Sequence, residues 1–259
     1  MTINRMVAAL VLAGVVGVQS EAFSADLPPG ALVTKAPAVS VAYRWTGCYV
    51  GANVGGGSGR TSFTDARPQL ASPLDLGSER ASGALGGGQI GCDYQAGGWV
   101  FGVQGLYDAS DLRGSHQIVP GPADPRFPNI YDLSSRMPWF ATATARVGYA
   151  IQPQILIYAK GGAAWTQSTV DYAVTGMGIT SPYAGAGSHT GWTAGGGVEY
   201  LLAPNWSLFA EYNYLDFGST TPTLQGNGLA TGFTAPIQLT RRIDTAMFGV
   251  NYRFGPLGP

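Results

Sequence analysis

From Trp45 onward, apolar and polar residues alternate with a period of two, the signature of strands with two unlike faces. Eight such stretches are found, at about 45–60, 82–95, 99–111, 137–151, 155–170, 190–202, 206–217 and 241–254. The last is the clearest: Ala246, Phe248, Val250, Tyr252 and Phe254 share one face, and Thr245, Met247, Gly249, Asn251 and Arg253 the other. The fourth sets Trp139, Ala141, Ala143, Ala145, Val147 and Tyr149 against Thr142, Thr144, Arg146 and Gly148. Aromatics close each apolar face at its ends, as in a lipid-facing wall between two aromatic girdles. A soluble barrel would turn its apolar face inward and would seldom leave the other so rich in Gly, Thr and isolated charge.

Connections alternate in length. Residues 96–98, 152–154 and 203–205 are tight turns, whereas the other four connections are long and rich in Gly, Pro, Ser and Asp. Tight turns on one rim and long loops on the other predict an all-β, eight-stranded, antiparallel up-and-down transmembrane barrel, with its short turns in the periplasm. No stretch after the first residues is long and apolar enough for a membrane-spanning helix, so a chain that spans must close its sheet.

Upstream, the pattern changes. Arg5 precedes an apolar run from Met6 to Val18, followed by small residues at Ala22, Ser24 and Ala25. Residues 1–24 are read as a cleaved signal peptide, with cleavage after Ser24 and Ala22 as the alternative. Residues 25–44, with Pro28, Pro29, Gly30 and Pro37, are read as a flexible periplasmic tail, 45–254 as the barrel, and 255–259 as a short extension.

Composition narrows the function. Charged residues are 11% of the 259, the formal net charge is -1, and there are 39 glycines. That balance speaks against a nucleic-acid surface. If the apolar face meets lipid, parity turns Asn53, Gln89, Gln104, Arg146, Lys160, Glu199 and Glu211 into the lumen at similar heights above the short turns. Two cations and two anions then nearly balance, which predicts a plug of paired side chains rather than a catalytic dyad. The functional alternative is a gate or a narrow ion path.

Other candidates are weaker. His116 and His189 fall in predicted extracellular loops, without metal-ligand spacing; with Tyr131 and Tyr183 they are the candidate ligands for haem or a similar apolar molecule. The runs Gly55-Gly56-Gly57, Gly86-Gly87-Gly88 and Gly195-Gly196-Gly197 lack the GK[ST] signature of a phosphate loop. Cys48 and Cys92 share lipid-face parity near the periplasmic rim, which leaves a cross-strand disulfide and two separate thiols equally open. No cofactor, metal or catalytic residue is predicted.

Several segments together resemble the small outer-membrane β-barrel family of alphaproteobacteria that includes surface antigens of about 25 and 31 kDa. They include WTGCYVGANVGG at 45–56, GGGQIGCDYQ at 86–95, WVFGVQG at 99–105, TARVGYA at 144–150, GWTAGGGVEY at 191–200, FAEYNYLDFG at 209–218 and FGVNYRF at 248–254. The resemblance implies an eight-stranded barrel in the outer membrane and a non-enzymatic role in envelope integrity and at the cell surface. It implies outer-membrane lipid, lipopolysaccharide and the barrel-assembly machinery as partners, and no nucleic acid. Porin-like and haem-binding members make a passive pore or a surface ligand binder the alternatives. The chain departs from the family pattern at Cys48 and Cys92, where aromatics are usual, at Gln104 and Leu106, where acidic residues are expected, and in continuing past Phe254.

Overall fold

The computed structural model describes residues 43–65, 74–120, 122, 128–221 and 223–254. The predicted signal peptide, nearly all of the tail and residues 255–259 lie outside the described residues. Within them the chain forms β1 (Gly47–Asp65), β2 (Leu74–Ala96), β3 (Trp99–Ile118), β4 (Ile130–Gln152), β5 (Ile155–Gly176), β6 (Ile179–Ala203), β7 (Trp206–Thr220), β8 (Thr223–Gly226) and β9 (Thr234–Phe254). Each long strand pairs antiparallel with the next, and β1 pairs with β9 from Cys48↔Phe254 to Asp65↔Ile237. The sheet therefore closes on itself through eight long strands. Closure leaves no open edge, which a bilayer requires.

Alternation places the side chains. Val147 and Tyr149 point outward and are 42% and 47% exposed, whereas Arg146 between two outward residues is 4% exposed and lies inside. Two rings of aromatics bound the outward apolar band. Trp99 packs on Tyr149 and Trp206 on Tyr252 near the tight turns; Tyr107 packs on Trp139 and Trp192 on Tyr214 at the other margin. On β4 the rings are marked by Tyr149 and Trp139. Ten residues at about 3.3 Å each, tilted by about 40°, give roughly 25 Å, the height of an outer-membrane apolar band.

The strands run well past this band, and here the sequence-based boundaries fall short. The segment 171–189, expected to be a long loop, is a continuous β5–β6 ladder from Thr166↔His189 to Gly176↔Ile179. It turns at Met177 and Gly178, both at positive φ, the geometry that matches strand twist in a two-residue hairpin. Likewise β3 and β4 pair out to Ile118↔Tyr131. Beyond the end of β7, the four-residue β8 takes its place between β6 and β9. The ends were hidden because Gly-, Ser- and Ala-rich stretches carry little alternation, while the backbone ladder needs none.

Candidate functional site in the lumen

Inside the band, the barrel is crossed by a charged layer. Arg146 on β4 donates through Nε to Asp93 Oδ1 at 2.7 Å and through Nη1 to Glu199 Oε2 at 3.1 Å. Arg253 on β9 donates through Nη1 to Glu199 Oε1 at 3.0 Å and through Nη2 to Asp93 at 2.5 Å. Two guanidiniums and two carboxylates thus alternate in a ring. Both guanidiniums lie over the Tyr49 ring, at 4.9 and 5.2 Å from its centroid. Ser207 and Asn251 donate further to Glu199, at 2.6 and 3.0 Å. Every charge in the ring is buried and faces opposite charge, the condition under which ion pairs survive desolvation.

Next to it, Lys160 Nζ meets Glu211 Oε1 at 2.5 Å and donates to Gln104 Oε1 at 2.8 Å. Tyr158 and Asn213 also donate to Glu211, each at 2.8 Å. Gln89 donates to Asn251 at 2.7 Å. All seven predicted lumen residues point inward, and the structure joins six of them in these hydrogen-bonded groups; Asn53 lies inside beside Asp108, without a well-formed side-chain hydrogen bond. Missing from the sequence-based layer are Asp93, Arg253, Asp108 and Tyr49. Their parity was available: Asp93 follows the lipid-facing Cys92, and Arg253 precedes the lipid-facing Phe254. The expected balance of two cations and two anions is corrected to three cations and four carboxylates in this half of the lumen.

Two further features close the short-turn end. Trp45, read as the first strand residue, instead precedes β1 and sits inside with no exposed surface. Its carbonyl accepts from Arg253 Nη2 at 2.7 Å and its ring lies 5.1 Å from that guanidinium. Tyr43, read as part of the tail, packs against the same cluster with Val100, Leu156 and Leu201. Outside, on the lipid face, Cys48 and Cys92 are opposite each other and joined in a disulfide.

Beyond the charged layer the lumen is apolar, filled by Leu106, Phe140, Leu215 and Met247 among others. Then comes a second polar level: Ser135 donates to Glu79, Arg241 Nε donates to Thr61 Oγ1 at 3.3 Å, and His189 contacts Ser168 at 2.7 Å and Thr220 at 2.9 Å. An aromatic and aliphatic cluster that includes Phe63, Tyr131, Tyr172 and Leu239 lies at the far end, with Tyr183 packed against it, beside a cavity of about 410 Å³ lined by His116, Leu133, Tyr172 and Tyr183 among others. The two histidines are therefore not loop residues. His116 lies on β3 and His189, buried, on β6. His116 is level with Leu133, Tyr172 and Tyr183 across the sheet. Six residues of β6 separate that level from His189, roughly 20 Å, so the pair does not converge on one ligand.

A closed antiparallel sheet, an apolar outer wall between aromatic rings and a polar lumen define a small transmembrane β-barrel of the outer-membrane type. The chain belongs to the outer membrane protein beta-barrel domain family, whose profile matches residues 9–254. It is 26% identical over 219 residues to the 31 kDa outer-membrane immunogenic protein of Brucella melitensis, covering 82% of this chain and 85% of that one. It is 25% identical over 248 residues to the 25 kDa outer-membrane immunogenic protein of the same organism, covering 95% and 96%. Among solved structures, the outer-membrane protease OmpT of Escherichia coli superposes with a TM-score of 0.51 at 10% identity, over 83% of this chain and 99% of that one, a likeness of fold alone. The protein is thus an outer-membrane β-barrel.

Proposed function

We propose that the barrel is a closed, non-enzymatic structural and surface component of the outer membrane. The observation that carries this is the ring of Arg146, Asp93, Arg253 and Glu199, which ties β2, β4, β6 and β9 together across the lumen. An eight-stranded barrel is just wide enough for side chains to fill, and these four are held by hydrogen bonds on every side. Bonded guanidiniums and carboxylates serve badly as acid or base, because each is neutralised by its neighbour. Its lipid-facing wall would contact outer-membrane lipid and lipopolysaccharide, and the intact β9 ending in Phe254 is the strand the assembly machinery would receive. Surface exposure is supported by the relatives named as outer-membrane immunogenic proteins.

Two experiments test this. The full chain, purified from outer membranes and placed in planar bilayers, is expected to give no stable single-channel steps; reproducible steps would establish the porin-like alternative instead. Cells lacking the protein are expected to leak a periplasmic marker and to become sensitive to detergent, with recovery on complementation. Unchanged leakage and sensitivity would remove the envelope role.

A further inference from the structure

The charged layer leaves one carboxylate over. Asp93 and Glu199 are matched by Arg146 and Arg253, and Glu211 by Lys160. Asp108 on β3 has no exposed surface; its polar neighbours are the Asn53 side-chain amide and the Lys160 ammonium already held by Glu211, and neither reaches its oxygens in full hydrogen-bond geometry. Its position is set by Gly87, which lies between Asp108 and Asn53 in the strand register. A Cβ on Gly87 would come within 2.4 Å of Asp108 Oδ1, so the carboxylate leans over the space that the glycine leaves free, on the side of Asn53. On its other side Asp108 faces the register position of Phe140, a member of the apolar layer. A bare carboxylate against that layer would be costly.

The neighbouring groups have the same shortage. Asn53, 4% exposed, faces Asp108 with its amide but completes no well-formed hydrogen bond at Oδ1 or Nδ2, and Gln89 Oε1, two positions along β2 from Gly87, is also unbonded. With the Asn53 Nδ2 donor turned to Asp108, this group still holds more buried oxygens than donors: two from the carboxylate and one each from the Asn53 and Gln89 amides. One negative charge with neutral oxygen donors is the chemistry of a hard monovalent cation. With a single carboxylate, the set is too weak in charge for the usual divalent sites, and it offers no nitrogen or sulfur ligand of the kind transition metals prefer.

We propose that the lumen binds one sodium or potassium ion at Asp108, with Asn53 Oδ1 and Gln89 Oε1 as further ligands and water completing the shell. The ion supplies the positive charge that the layer lacks and gives the four oxygens a common partner. The site is independent of whether the barrel conducts. A conductance trace reports a continuous path, whereas occupancy at Asp108 concerns one place in it.

The test refolds the full chain into detergent micelles at fixed pH and ionic strength. The salt is sodium chloride, potassium chloride or N-methyl-D-glucamine chloride. Folded and unfolded forms are separated by their gel migration after heating. The midpoint of heat unfolding should rise saturably with sodium or potassium at the expense of the bulky cation, and the rise should vanish in Asp108→Asn. Equal midpoints in all three salts, or an undiminished rise in Asp108→Asn, would overturn the site. So would a midpoint that ignores cation identity but climbs with acid in the wild type alone, since that outcome assigns the missing charge to a proton. Should Asp108→Asn not fold, crystals of the wild type grown in rubidium decide the matter: an anomalous peak within coordination distance of Asp108 supports the site, and its absence rejects it.

Discussion

At the scale of single residues, the lumen is governed by charge matching and by space. Glu199 accepts from Arg146, Arg253, Ser207 and Asn251. Glu199→Ala would leave two guanidiniums to share Asp93, and breaking a buried pair in this way costs about 3–5 kcal/mol. Urea unfolding of the variant in lipid vesicles, followed by tryptophan fluorescence, is expected to register that loss, and Glu199→Gln, which keeps an acceptor oxygen, a smaller one. Space is equally restrictive at Gly51, where a Cβ would lie 2.0 Å from Asn251 Oδ1 and 2.6 Å from the Val250 carbonyl. The Gln89–Asn251 hydrogen bond closes over that glycine from the strands on either side. Gly51→Ala is therefore expected to cost about 1–3 kcal/mol as an overpacked site, measured in the same assay. Parity alone sufficed to turn Arg146, Lys160, Glu199 and Glu211 inward. It did not pair them, because partners depend on the stagger between strands, and that is set by the whole ring.

At the scale of strands, the outer margin was the least legible part. Alternation marks a strand only where its two faces meet different surroundings. Between the aromatic rings one face meets lipid and the other a packed lumen, so the pattern is sharp on β4, β7 and β9. Past the second ring the outward face meets water, and Gly-Ser-Ala segments such as 184–188 look like loop although the ladder continues through them. The disulfide belongs to this scale too. It links β1 to β2 across a separation of 44 residues, at the rim where β1 also meets Phe254 of β9. Parity and height of both cysteines are legible from alternation, yet side-by-side placement requires the register. Cys48→Ser with Cys92→Ser is expected to lower resistance to urea by about 2–4 kcal/mol, the usual effect of a cross-link that restrains the unfolded chain. The wild type treated with reductant while unfolded should match the double variant. Equal midpoints for oxidised wild type and double variant would assign the bond no stabilising role.

At the scale of the whole molecule, the lumen is a stack of layers of differing chemistry: the Trp45 cluster, the charged ring, an apolar layer, the Glu79 and Arg241 level, and the outer aromatic cluster. Each draws side chains from several strands, so on the proposed closed reading each obstructs the lumen separately. A barrel sealed at one level would open when that level is cleared; this one should not. Arg146→Ala with Glu199→Ala removes one cation and one anion, leaving Arg253 beside Asp93 in balance. Water could enter the enlarged level, but Leu106, Phe140 and Met247 remain beyond it, and an apolar constriction obstructs ions by failing to hold water. The double variant is expected to stay silent in planar bilayers. Adding Leu106→Ala, Phe140→Ala and Met247→Ala clears a second layer and should lengthen the wetted path without opening it, because the Tyr131–Tyr172 stack and Leu239 still narrow the far end. Steady conductance should require that outer cluster to be cut back as well. Conductance from the ring variant alone would mean that the apolar layers do not seal, and would make the charged ring the gate of a pore.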